Sequence, residues 1–155
     1  MRHIVRKLFL GTAIAAMMAF GADNSLGTWK LNLEKSTFTP GPAPAKSITL
    51  KREAAEGGVR TTATVGLGNG DPTTSSSIAK YDGKYYSVPN APWDTVSNEQ
   101  VDANTFAATT KKTGGKYSST SRTVISNDGK TMTTTSSGTD NEGKPFNNNA
   151  VFDKQ

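Results

Sequence analysis

The sequence predicts an all-β protein, an antiparallel up-and-down meander that closes into a barrel of about 8–10 strands. Three observations lead there. Within Lys116 to Thr139, two runs rich in Thr, Ser and β-branched residues flank Asn127-Asp128-Gly129, and Asp-Gly supplies the positive φ angles that a tight hairpin turn needs. Turn signals recur at Gly57-Gly58, Asn69-Gly70, Asp82-Gly83, Pro89-Asn90, Asp102-Ala103-Asn104, Gly114-Gly115 and Glu142-Gly143, most of them about 11–14 residues apart, the rhythm of short strands in a meander. No window of about a dozen residues carries helical periodicity. Parallel strands need long crossovers between them, so turns this tight predict that each strand pairs with its sequence neighbour.

The chain has 155 residues, room for one domain. Its start reads as a leader. Arg2, Arg6 and Lys7 form a basic beginning, Leu8 to Phe20 is uncharged and largely apolar, and Ala19-Phe20-Gly21 offers small residues where a signal peptidase cuts. The expected division is a signal peptide over 1–21 and a single β-barrel domain over 22–155. The apolar run falls short of the roughly 20 residues a spanning helix needs, so the reading is a removable leader and no stable membrane span. Export then places the protein in the periplasm or outside the cell.

Cleavage changes the charge balance. Without the three leader cations, the 18 Lys and Arg become 15 against 13 Asp and Glu, and the formal charge falls from +5 to +2. The remaining charges alternate in sign and form no basic run, whereas phosphate-backbone binding needs a concentrated cationic face. No nucleic-acid partner is expected. His3 is the sole histidine and lies in the leader, and cysteine is absent. Ser-His-Asp and Cys-His catalysis and zinc held by His or Cys are therefore excluded from the mature chain.

Along the mature chain, Trp29, Leu31 and Leu33 alternate with Thr28, Lys30 and Asn32, the pattern of a half-buried strand. Ser36 to Lys46 contains Pro40, Pro42 and Pro44 and reads as an extended loop, because prolines this close fit neither a sheet interior nor a helix. Alternation resumes with Ile48 and Leu50 against Thr49, Lys51 and Glu53. It continues with Val59, Thr61, Ala63, Val65 and Leu67 against Arg60, Thr62 and Thr64. Large apolar residues are scattered singly, while Thr and Ser make up roughly a quarter of the mature chain, a bias that favours strand. A barrel partly filled by polar side chains fits so thin a core, and so does a sandwich with polar outer faces.

Gly27-Thr28-Trp29 near the mature start, followed by the meander, resembles the calycin group, the lipocalins and intracellular fatty-acid-binding proteins. Arg122 to Thr135 and the closing Ala150-Val151-Phe152-Asp153-Lys154 are similar to the last strands of the fatty-acid-binding branch. As a whole the chain looks like small secreted bacterial proteins described as lipocalin-like. The resemblance implies that Trp29 packs across one end of the barrel, and that Arg122 stands where a cavity arginine can meet an anionic ligand, a role its planar donor fork suits. In the same family an arginine also packs over the barrel-end Trp. Two departures stand out. The place of the family's helical lid holds the Pro-rich loop, and the Arg-x-Tyr pair that grips a carboxylate corresponds to Ala150 and Phe152, which have neither charge nor hydroxyl.

These readings predict an exported, non-enzymatic binding protein, without cofactor, for a small and partly apolar molecule that can be anionic. The molecule would be held in an enclosed cavity of several hundred cubic ångströms, the order expected for ligand pockets. Arg122, Tyr117, Phe106 and Met132 are the candidate wall residues, subject to strand register. Tyr81, Tyr85, Tyr86 and Trp93 can form an aromatic mouth around the Asp82-Gly83 turn, although alternation sends Tyr85 and Tyr86 to opposite faces. Asp140-Asn141-Glu142-Gly143 and Asn127-Asp128-Gly129 lack the full calcium-loop pattern and read as turns, so no metal is expected. No carboxylate pair has a spacing that selects it for glycoside chemistry. The protein is expected to act as a monomer. The alternative is an envelope interaction or structural module that contacts protein or polysaccharide through an exposed patch.

Overall fold

The computed structural model describes residues 23–89 and 91–155, so the leader expected over 1–21 lies outside the described residues. Eleven strands follow one another: β1 (Gly27–Leu31), β2 (Thr37–Thr39), β3 (Ser47–Ala55), β4 (Gly58–Gly66), β5 (Thr73–Ala79), β6 (Asp82–Ser87), β7 (Thr95–Asp102), β8 (Thr105–Lys111), β9 (Ser118–Ile125), β10 (Thr131–Thr139) and β11 (Pro145–Lys154). Among the described residues there is no helix. All the strands belong to one antiparallel sheet in the order β5-β4-β3-β1-β11-β10-β9-β8-β7-β6, with β2 beside β11. First and last strands meet, with Leu31 opposite Phe152. The sheet is the all-β antiparallel architecture that the turn rhythm predicts, curled into a calycin-like half-barrel whose end strands β5 and β6 do not pair.

The turns fall where Gly, Asp and Asn stand in the sequence. Gly129 has φ of 68°, and the Asp128 carboxylate accepts from the Lys130 N–H at 3.0 Å. Asp102 does the same for Asn104 at 2.9 Å, and Asp140 for Glu142 at 2.8 Å and Lys144 at 2.9 Å. These carboxylates close turns by accepting backbone donors two and four residues on, the local chemistry that favours Asp there.

Two features depart from the simple meander. The Ser36 to Lys46 stretch, read as a loop throughout, contains β2, with Phe38 opposite Asn148. β1 ends at Leu31, which leaves the edge of β11 free at Asn147–Asn149. The three residues before Pro40 keep their N–H groups and fill that edge. The second departure is at β5 and β6, which adjoin in sequence but form the two ends of the sheet. In the link between them Tyr81 packs on Phe106, with ring centroids 5.1 Å apart. Asp82 then accepts from the Lys84 N–H at 3.0 Å, and the β6–β7 register shifts between Asp82 and Tyr85. The barrel therefore has a lateral seam.

Residues opposite one another in a ladder share a face, so the register separates inside from outside. Leu31, Phe152, Met132 and Ile125 form one inward row across four strands. With Trp29 and Phe106 they make the buried core, and Phe38, Ile48, Leu50, Tyr81 and Ala150 pack against it. Trp29 is fully buried. Its indole N–H donates to the Ser25 carbonyl at 2.9 Å, which holds the segment before β1 across this end of the barrel. The β1–β11 junction is further clamped where Asp153 accepts from Asn32 at 2.6 Å and from Lys35 at 3.1 Å.

Replacing Trp29 by Ala should cost roughly 3–5 kcal/mol, the range for deleting a large buried aromatic. Trp29→Phe should cost less while leaving the Ser25 carbonyl without its donor. Urea unfolding of the two variants checks both; a Trp29→Ala midpoint equal to that of the parent would show that this ring does not anchor the closed end.

Candidate functional site

The closed end is built on Arg52. It follows Ile48 and Leu50 on the inward face of β3, and it pairs with Gly27 on one side and Thr61 on the other. Its Nη2 donates to the Tyr81 hydroxyl at 2.8 Å and to Ser25 Oγ at 3.3 Å, and its guanidinium lies 5.6 Å from the centre of the Phe106 ring. Its Nε is buried and has no hydrogen-bond partner. Arginine has only donors, so the Tyr81 oxygen must accept from it, which leaves the Tyr81 proton free to donate elsewhere.

Tyr81 lines a cleft of about 1020 Å³ that opens at the seam. Leu26, Ala54, Val59 and Ala103 make its apolar wall, and Asp23, Lys80, Asp82 and Gln100 its polar rim. Tyr86 donates its hydroxyl to Asp82, and Lys80 Nζ sits 5.0 Å from the centre of the Tyr86 ring. Asp82 is held below the usual carboxylate range, first by the Tyr86 hydroxyl and then by the Lys84 N–H, and the same bond raises the Tyr86 hydroxyl. The expectation was an enclosed cavity; the space is an open cleft, because β5 and β6 share no ladder.

The candidate wall residues divide. Phe106 and Met132 lie in the inward core cluster. Tyr117 is at the opposite end of the barrel, stacked on Trp93 with centroids 5.5 Å apart. Arg122 is exposed and lies opposite Ala107 and Thr135, one residue out of phase with the inward Thr123 and Ile125, so it shares the outer face. Trp29 stands at the barrel end, and the cation over its ring is Lys154, at 5.0 Å, rather than an arginine. The four aromatics expected to form one mouth are split: Tyr81 and Tyr86 line the cleft, Tyr85 lies opposite Ser97 on the outer face, and Trp93 sits at the far end. Of the two residues at the centre of this corner, the sequence singles out Tyr81, as part of the aromatic mouth, and not Arg52. A signal for Arg52 was present, a charge in phase with Ile48 and Leu50 on an apolar face. The signal for Tyr81 is its place in the aromatic cluster beside Asp82-Gly83, and its partner Arg52 is what that cluster does not reveal. Among the described residues no group of three His, Cys, Asp or Glu gathers as a metal site would.

The depressed carboxylates set an acid limit. Asp94 is lowered chiefly by the Thr113 N–H, Asp128 by Ser126, Asp140 by the Lys144 N–H and Asp153 by Asn32. A carboxyl depressed in the fold contributes stability that is complete above its unfolded pKa and is lost as the pH falls through the folded value. Melting temperature should stay level from neutral pH down to about 5 and fall once the pH passes below about 4. Thermal melts across that range test this; a rise on acidification would contradict it.

No family model and no curated protein matches the chain. Among solved structures it is similar to the fluorescent protein UnaG, at 14% identity over 84% of this chain and 97% of that one, with a TM-score of 0.53. It is also similar to a fatty-acid-binding protein of Schistosoma mansoni in complex with arachidonic acid, at 12% identity over 85% of this chain and 96% of that one, with a TM-score of 0.55. At these identities the likeness shows the fold alone, a barrel of the calycin type, and transfers no site residue.

Proposed function

We propose that the protein is an exported, non-enzymatic binder of a small amphipathic molecule, held in the cleft at the seam with its anionic group toward Tyr81 and Arg52. The observation that carries this reading is a cleft of about 1020 Å³ lined by Tyr81, whose hydroxyl accepts from the half-buried Arg52 guanidinium, while the buried Arg52 Nε has no partner. A buried charge without a full set of partners is costly, and an anion held by the Tyr81 hydroxyl brings counter-charge toward Arg52 through that bond. The Tyr81 hydroxyl, polarised by Arg52 and free to donate, is the contact the ligand meets first. A protein of the same fold is named for binding fatty acid, which supports a carrier role over turnover. The leader ending at Gly21 supports action in the periplasm or outside the cell, and we propose that the carrier works as a monomer.

Titration calorimetry with dodecanoate and dodecanol tests the reading. Arg52→Met should weaken dodecanoate by about tenfold or more, the loss expected for a hydrogen bond to a charged group. Dodecanol binding should change by no more than about twofold. An equal loss for both ligands would make Arg52 a structural residue, and no binding of dodecanoate by the parent chain would end the proposal.

A further inference from the structure

The opposite end of the barrel has different chemistry. Ser121, Ser136 and Asn148 stand opposite one another on β9, β10 and β11, in phase with the buried Ile125, Met132 and Phe152, so their side chains share the inner face. All three are half-buried. Asn148 Oδ1 accepts from the Thr39 N–H at 3.4 Å, which leaves its amide donors free. On these three strands the inward positions between the core and the far end hold Ser, Thr, Asn, Gly and Ala and no charge, while Arg122 and Asp153 lie on the outer face.

One step farther along, the row ends in aromatic rings. Phe146 lies inward opposite Gly138, where a Cβ would come within 1.9 Å of the Ser118 carbonyl oxygen, so only glycine lets β9 approach so closely there. The Tyr117 ring is 6.3 Å from that of Phe146, and Trp93 stacks on Tyr117 at 5.5 Å with 29° between the planes. All three rings are half-buried rather than covered. Aromatic faces beside neutral hydroxyl and amide groups suit a ligand that has C–H faces and many hydroxyls. Without charge such a wall does not select an ion, and its polar atoms penalise a plain hydrocarbon.

We infer that this end of the barrel is a second binding site, for a neutral saccharide that stacks on Trp93 and Tyr117 and is hydrogen-bonded by Ser121, Ser136 and Asn148. The site stands apart from the Arg52 cleft. It does not depend on the anion-binding reading.

Tryptophan fluorescence of the full chain, titrated with cellobiose, maltotriose and chitobiose, tests the site directly. The two tryptophans are Trp29, which is fully buried, and Trp93, so a saturable change reports on Trp93. At least one of the three sugars should give that change. Tyr117→Ala, which keeps the Trp93 reporter, should weaken it by about tenfold, the scale of a lost aromatic contact. Ser136→Ala, which leaves the rings in place, should also weaken it. Arg52→Met should leave it unaltered, and far-ultraviolet circular dichroism of each variant verifies folding. No saturable change with any of the three sugars overturns the inference, as does a response that survives both Tyr117→Ala and Ser136→Ala.

Discussion

The whole arrangement depends on one short strand. Gly27–Leu31 lies between Ser47–Ala55 and Pro145–Lys154 and joins the two ends of the chain into a single sheet. Trp29 makes the junction durable by filling the barrel end and tying its indole N–H to Ser25, which ties the preceding segment to the same corner. Arg52, Tyr81 and Phe106 are bonded and packed together at that corner, and Tyr81 connects it to the cleft that it lines.

The seam between β5 and β6 follows from the same packing. Tyr81 belongs by sequence to a link that could have been a hairpin, yet its ring is more favourably placed against Phe106 and its hydroxyl under Arg52. The cost is a sheet with two free edges. Natural proteins blunt such edges with charge and irregularity, and β6 does so with Lys84 and a register shift, while β5 is a run of Thr, Ser, Ile and Ala with none. The opening at the seam gives the cleft its access, and Tyr81, packed on Phe106 beside it, lines that cleft.

The inner wall changes character along its length. Near Trp29 it is apolar, with one cation. At mid-height β9, β10 and β11 present hydroxyl and amide groups with Phe38 beside Asn148, and at the far end aromatic rings stand beside glycine. A hydrocarbon carrier would need the apolar character to continue, because neutral polar atoms facing a hydrocarbon lose their hydrogen bonds. The wall instead divides into two chemistries at two ends. This is why the likeness to a fatty-acid-binding protein informs the fold more than the ligand.

Much of this was legible in the chain because it is local. Gly129 and Asp128, Asp102 and Asp140 announce their turns through φ preference and reach to nearby N–H groups, and strict alternation identifies the inward side of β1, β3 and β4. The closing of the last strand on the first, expected from the meander, holds. The sequence could not show which arginine faces inward. Arg122 and Arg52 are both strand residues, and the choice rests on register, which one residue of slip inverts. Nor could it show that Tyr81 would leave its hairpin, or that Thr37–Thr39 would pair with residues more than a hundred positions away. Alternation and turn chemistry act between near neighbours and are written in the residues themselves. Pairing across the seam and the company a side chain keeps depend on where distant strands come to lie, which only the folded chain decides.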